Sequence, residues 1–279
     1  GELRGDLLKV TENANTNLVE VNNLNLSPNN PYASPVNFYK LIAASNKLIW
    51  ILQNKYPEVL DKTSQIDNID YMYGEAICMR SWAYFNAARI FDEAPYIPET
   101  LTTLNEIIDY VNTPGTYVDS IFIDYGPEGL NNDTIRDRDE IFNKTYVYEG
   151  KKFLSQDAMV QQCINDIETN VRAVGVRYPD DQTWESTIWN EYAMYTLLGN
   201  MYLHIGNYDK ALVNYDMLLE YQTTDNDLFR FGMASDLANQ SWRTIFTGIN
   251  RNEHVFTLWF GKSNASWQRN PMQYYFSNI

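Results

Sequence analysis

Apolar side chains recur at helical spacing in several separate stretches of this chain. Phe38, Leu41, Ile42, Leu48, Ile49 and Leu52 follow Ser34-Pro35, a hydroxyl for the N-cap and then a proline whose missing N–H costs nothing there. Pro57 marks the stop. A second helix is predicted from about Tyr71 to Phe91, with Ile77, Trp82, Phe85 and Ile90 on its apolar positions and Ala83, Ala87 and Ala88 where another helix can approach. A third starts at Ser155 and carries Met159, Cys163, Ile164, Ile167 and Val171. Two more, about Trp189 to Ile205 and Tyr208 to Tyr221, are joined only by Gly206-Asn207, so they must be antiparallel neighbours.

That last pair has a recognisable spacing. Tyr195, Leu198-Gly199, Tyr202, Ala211 and Tyr215 fall as in a tetratricopeptide repeat, with threonine (Thr223) where the usual closing proline would stand. The small Gly199 and Ala211 are expected where the two helices touch, with tyrosines filling the space beside them. On this reading Gly199→Leu overpacks the hairpin, and Gly199→Ala gains slightly through helix propensity. Residues 38–56 and 72–91 read as a second, more degenerate pair. The fold expected is mostly α: tetratricopeptide-like helix pairs with long irregular loops and a little β.

Residues 92–154 break the pattern. Pro95, Pro98, Pro114, Gly115, Gly126, Pro127 and Gly129 interrupt a stretch without sustained period, read as a long excursion with one short helix near Leu104 to Val111. Near the other end, His254 to Phe260 is β-branched and aromatic on both faces, a candidate buried strand.

Composition narrows the function. The 279 residues hold 36 Asp and Glu against 21 Lys and Arg, a formal net charge of −15, which argues against a nucleic-acid partner. The longest apolar run, Leu48 to Leu52, is far too short to span a bilayer. The first residues show neither a basic segment nor an apolar one, so the expectation is a cytoplasmic protein or an exported one whose leader has been removed. Cys78 and Cys163 match no disulfide framework or metal spacing and are expected as buried free thiols.

Gly74-Glu75-Ala76, then Arg80-Ser81-Trp82-Ala83-Tyr84-Phe85-Asn86, then Phe91-Asp92-Glu93-Ala94-Pro95 resembles the segment typical of the SusD/RagB family. Other pieces are similar in the same order: Glu2-Leu3-Arg4-Gly5-Asp6, the Ser155 helix ending in Asp166-Ile167, the repeat at 192–221, and Asn252-Glu253-His254-Val255-Phe256. The family usually has Gly where this chain has Asp92-Glu93, and the 96–154 excursion is longer than usual. The resemblance implies one SusD-like region, divided into a helix pair (34–91), the excursion (92–154), the later helices and hairpin (155–222) and an irregular or strand segment (223–279), incomplete at both ends. It further implies a lipid-anchored protein on the extracellular face of the outer membrane of Bacteroidetes. Such a protein binds an oligosaccharide or other nutrient and docks on a SusC-like TonB-dependent transporter, with no catalysis and no cofactor. The alternatives are a protein-binding tetratricopeptide scaffold and an α-helical glycoside hydrolase, which needs only two suitably spaced carboxylates.

Sugar recognition requires flat rings flanked by amides and carboxylates. The chain has 7 Trp and 21 Tyr. Trp50, Trp82 and Trp259 lie in periodic elements and are expected in the core. Trp184 beside Asp180-Asp181, Trp267 beside Gln268 and Asn270, and Tyr96 and Tyr125 in the excursion are the candidate ligand contacts. His204 reads as a helix-end residue at the negative pole of the macrodipole. No nucleophile triad, phosphate loop or zinc pair is present in the pattern, so no catalytic or metal residue is assigned. The acidic run Asn131 to Glu140 lacks the EF-hand glycine and reads as a solvated loop rather than a calcium site.

Overall fold

A computed structural model describes residues 9–54, 68–112, 115–123, 141–148, 153–171, 174 and 185–220, and within these the fold is mostly helical. The helices are α1 (Thr16–Asn22), α2 (Val36–Asn54), α3 (Asn68–Phe91), α4 (Leu104–Asn112), α5 (Gln156–Asn170), α6 (Glu191–His204) and α7 (Tyr208–Glu220). The strands are β1 (Ala94–Pro95), β2 (Gly115–Ile123), β3 (Ile141–Tyr148) and β4 (Phe153–Leu154).

Local chemistry sets the starts and stops. Ser155 caps α5 by accepting from the Ala158 N–H, and Asn190 caps α6 by accepting from the Ala193 N–H. Gly206 adopts φ 76°, the left-handed conformation that glycine takes without strain, and this lets α7 fold straight back on α6. At the end of α3 the Asp92 N–H donates to the Ala88 carbonyl while Asp92 holds φ 69°. That is the position after a helix where glycine is the usual residue. The sequence pattern did not reveal α1. Its cap is Asn15, and the Glu20 carboxylate gathers the Ser27 N–H, the Ser27 hydroxyl and the Asn30 amide at 3.0, 2.9 and 2.8 Å to close the turn that follows.

One core joins α2, α3, α5, α6 and α7. Ile42 and Ile49 of α2, Ile77 and Tyr84 of α3, Met159, Ile164 and Ile167 of α5, and Leu197 and Met201 of α6 are all buried in it. Ala83, Ala87 and Ala88 are buried on α3, as small residues facing close neighbours must be. Both thiols are buried and free. Burial pushes both thiol pKa values up, and the charge of Asp166 adds to the effect at each. α3 and α5 run antiparallel, since Gln156 reaches the Ala88 carbonyl near one end and Arg80 meets Asp166 nearer the other.

The Arg80–Asp166 pair is the polar centre of this core. The side chains are 5% and 7% exposed and approach to 2.5 Å. Burial by itself lowers the pKa of a guanidinium, but the adjacent Asp166 charge outweighs that, so the net shift is upward and Arg80 stays charged. Asp166 receives the Arg80 Nε–H and Nη2–H on Oδ2 and the Asn170 amide on Oδ1. The remaining Arg80 nitrogen, Nη1, donates to Asn46 Oδ1 at 2.8 Å and to the Pro98 carbonyl at 3.1 Å.

Two elements differ from the sequence expectation. The excursion holds an antiparallel pair, β2 with β3, running from Gly115↔Tyr148 to Ile123↔Ile141 with an irregularity between Val118 and Ser120. Its short helix stands as expected, as α4. The excursion also starts and finishes at one place, because β1 pairs with β4 through Ala94↔Leu154 and Pro95↔Phe153. On the helices, Leu48, Trp50 and Ile90 are exposed rather than buried, while Trp82 is partly buried against the core. In α2 the buried side is fixed by Ile42, Ser45, Asn46, Ile49 and Leu52, which turns Leu48 and Trp50 outward.

The hairpin α6–α7 behaves as its spacing predicts, with one correction. Leu198, Gly199, Tyr202 and Ala211 are buried, and Tyr215 lies directly over Gly199. A Cβ at position 199 would stand 2.5 Å from Tyr215 Cε1 and 2.9 Å from Cδ1 and Cζ, so alanine is not a harmless control there. Below, Tyr202 donates a very short hydrogen bond to Glu168 of α5, and Lys210 of α7 reaches the same hydroxyl at 3.3 Å.

Two sets of variants check this core. Removing Asp166 alone (Asp166→Leu) strands a buried guanidinium and is expected to cost about 3–5 kcal/mol. The double variant Arg80→Met with Asp166→Leu is expected to recover much of that loss in urea unfolding. At the hairpin, Gly199→Leu is expected to cost about 1–3 kcal/mol by overpacking. Gly199→Ala is expected to lower the Tm slightly in the native background. In a Tyr215→Ala background, where only the propensity gain of up to about 1 kcal/mol remains, the same change is expected to raise it.

Candidate functional site

The segment 95–99 leaves β1 and runs over the buried face of α2 and α3. Each of its five consecutive backbone carbonyls accepts a hydrogen bond from a side chain. Tyr39 donates to Pro95, Tyr110 to Tyr96, Tyr84 and Asn46 to Ile97, Arg80 to Pro98, and Asn46 again to Glu99, at 2.7 to 3.1 Å. The Ile97 N–H returns the contact by donating to the Tyr84 hydroxyl at 2.8 Å. Among the described residues 96–99 have no sheet partner, so their polar groups must be satisfied otherwise, and helix side chains supply a partner for every carbonyl. These groups are consumed in holding the chain and are not poised for chemistry.

This geometry corrects one candidate directly. Tyr96 is 5% exposed, with its ring tilted against Tyr84 at 5.1 Å between centroids and its hydroxyl near Gln162. Burial drives its pKa upward, with the Asp166 charge adding to the shift. Its ring is a core ring with no face left for a sugar. The segment looked irregular in sequence because its order comes from other helices, and that order is what buries Tyr96. Trp184, Trp267 and Tyr125 lie outside the described residues, as do the 131–140 acidic run, Trp259, His254 and the 254–260 strand candidate. His204 stands in the last turn of α6, where helix-end chemistry puts it, and its ring meets Phe85 edge-on at 5.6 Å.

An exposed aromatic that the periodicity had assigned to the core is found instead on α2. Trp50 is 38% exposed, with the Lys47 ammonium 4.5 Å from its ring centroid. One turn on, Asn54 donates to the Trp50 carbonyl, and Gln53 donates to the hydroxyl of Tyr73 on α3 at 2.9 Å. The signal available in the sequence was the phase of α2: with Ile42, Ile49 and Leu52 inward, positions 47 and 54 fall on the outer side and Trp50 on the flank between them and the core.

α4 follows the 95–99 segment. Glu106 closes its first turn by accepting from the Thr102 and Thr103 N–H groups and the Thr102 hydroxyl, while Thr103 caps the Glu106 N–H. Among the described residues no group of three or more His, Cys, Asp or Glu side chains is placed to hold a metal, and no helix is long and apolar enough to cross a membrane.

Compared with protein-family models, curated proteins and solved structures, the chain finds no match in any of the three.

The Glu106 cap has a pH signature. Hydrogen bonds from the Thr102 and Thr103 backbone lower its pKa from 4.5 to about 2. A lowered carboxylate contributes stability that is present above its unfolded pKa and is lost as pH falls through the folded one. The Thr102 and Thr103 amide resonances are therefore expected to hold steady down to about pH 4 and then titrate with a midpoint near 2, and Glu106→Gln should abolish that titration.

Proposed function

We propose that this chain is the helical body of a SusD/RagB-type cell-surface binding protein, which captures oligosaccharides for a SusC-like TonB-dependent transporter without transforming them. Such a protein sits on the extracellular face of the outer membrane, held by a lipid anchor, and the transporter is its membrane partner. The observation that carries the reading is the Arg80–Asp166 pair. Arg80 belongs to the residues most similar to the family's segment, and Asp166 to a second similar piece 86 positions away. The two pieces meet in a buried ion pair and work as one unit, which chance likeness of separate fragments would not require.

A second observation points the same way. The family usually has Gly where this chain has Asp92-Glu93, and Asp92 holds the φ of 69° that favours glycine. The departure is therefore one of side chain, with the backbone shape of the glycine kept. A net charge of −15 suits a soluble, extracellular surface that handles uncharged ligands.

Stacking of a sugar ring on an aromatic face contributes on the order of 1 kcal/mol per contact. Weak capture, about millimolar to micromolar, is then expected, and it suits a protein that must pass its cargo on. Isothermal titration of the full chain with neutral oligosaccharides is expected to show binding in that range, with Trp184→Ala and Trp267→Ala each weakening it roughly fivefold. Unchanged affinity in both variants removes those two residues from the site. Release of reducing ends during the titration places the chain among glycoside hydrolases instead, and no binding of any glycan overturns the reading.

A further inference from the structure

Trp50 stands on the exposed flank of α2, beside the Ile42, Ile49 and Leu52 side that enters the core. It is not part of the buried core cluster and keeps 38% of its surface exposed. Lys47 lies over the ring, Asn54 is one turn further on the same side, and Gln53 beside it is tied to the Tyr73 hydroxyl of α3. Each of these groups has hydrogen-bonding capacity beyond the contact it makes. The Gln53 and Asn54 amides each retain a carbonyl oxygen and an N–H, Tyr73 accepts from Gln53 and keeps its own O–H to donate, and Lys47 carries three N–H donors. The internal contacts favour one orientation of each amide, which reduces the entropy lost on binding.

We propose that Trp50, Lys47, Gln53, Asn54 and Tyr73 form a sugar-stacking contact on α2, taking one pyranose of a neutral oligosaccharide. An apolar sugar face meets the indole on the side that Lys47 does not cover, and the hydroxyls at the sugar's rim meet the amides and the phenol. A neutral ligand fits because the chain's net charge of −15 opposes an anionic one. The inference rests on the glycan-binding reading and adds to it a contact on α2 that does not use Trp184 or Trp267.

The test uses the full chain labelled with nitrogen-15, whose Trp50 indole resonance is identified by its disappearance in Trp50→Phe. The probes are hexasaccharides of 1,4-linked glucose, xylose and mannose at millimolar concentration. The Trp50 indole signal is expected to shift on addition of at least one of them, and Trp50→Ala is expected to weaken that binding roughly fivefold, the equivalent of one ring contact. Because Trp50 faces outward, the Ala variant should keep the native helical signal, and Trp50→Phe should bind with intermediate affinity. A hexasaccharide that binds the wild-type chain without moving the Trp50 signal or responding to Trp50→Ala overturns this inference and leaves the binding reading standing. Failure of all three sugars to bind overturns this inference, while the binding reading falls only if no glycan of any kind binds.

Discussion

A guanidinium buried at the meeting of three helices sets terms that the surrounding structure has to satisfy. Taking Arg80 and Asp166 out of water costs several kcal/mol per ion, and their mutual attraction offsets this only with good geometry and full hydrogen bonding. Here both conditions are met, because Asn46 comes from α2, Asn170 from α5 and the Pro98 carbonyl from the segment after β1. The pair therefore couples elements that apolar packing alone would leave free to slide. A one-turn shift of α5 along α3 would keep leucine-like contacts roughly intact but would leave a buried charge unpaired. Register is the property such a pair best supplies.

Arg80 is also one of the side chains that hold the root of the long excursion inside one body. Residues 95–99 run where a sheet would normally satisfy the backbone, yet among the described residues their only strand pairing is the two-residue β1–β4 bridge. The helices answer with Tyr39, Asn46, Arg80, Tyr84 and Tyr110, which saturate five carbonyls in a row. At about 0.5–1.5 kcal/mol net for each ordinary hydrogen bond, the set is worth several kcal/mol, and leaving the carbonyls buried and bare would cost more. Because the bridge closes the excursion at its root, its length adds little to the entropy of the fold, since closure cost grows only slowly with loop length.

The helices were legible in the sequence because each announces itself locally. Ser155 caps, Ile164 and Ile167 keep the period, and Gly206 turns the chain, so the three strongest helices appear within two or three residues of their expected ends. What stayed hidden depends on contacts distant in sequence. The partners of Arg80 lie 34 and 86 residues away, and nothing in their local pattern advertises them. β2 and β3 escaped notice because 17 residues separate them, so no short turn signal marks the pair. The seven residues of α1 are too few for a hydrophobic period to show.

At Tyr96, irregular context was a poor guide to an available ring. Tyr96 sits among prolines, outside any period, and is buried because side chains from elsewhere hold its backbone down. Trp50 sits inside a regular helix and is exposed, since a helix that buries one side must present the other. What a stacking ligand requires is an accessible ring with polar groups held at its rim. That property follows from the phase of a helix relative to its core more than from whether a segment is helix or loop. In a protein whose body is mostly α, the outer sides of its helices are thus as much a place to look for ligand contacts as the loops between them.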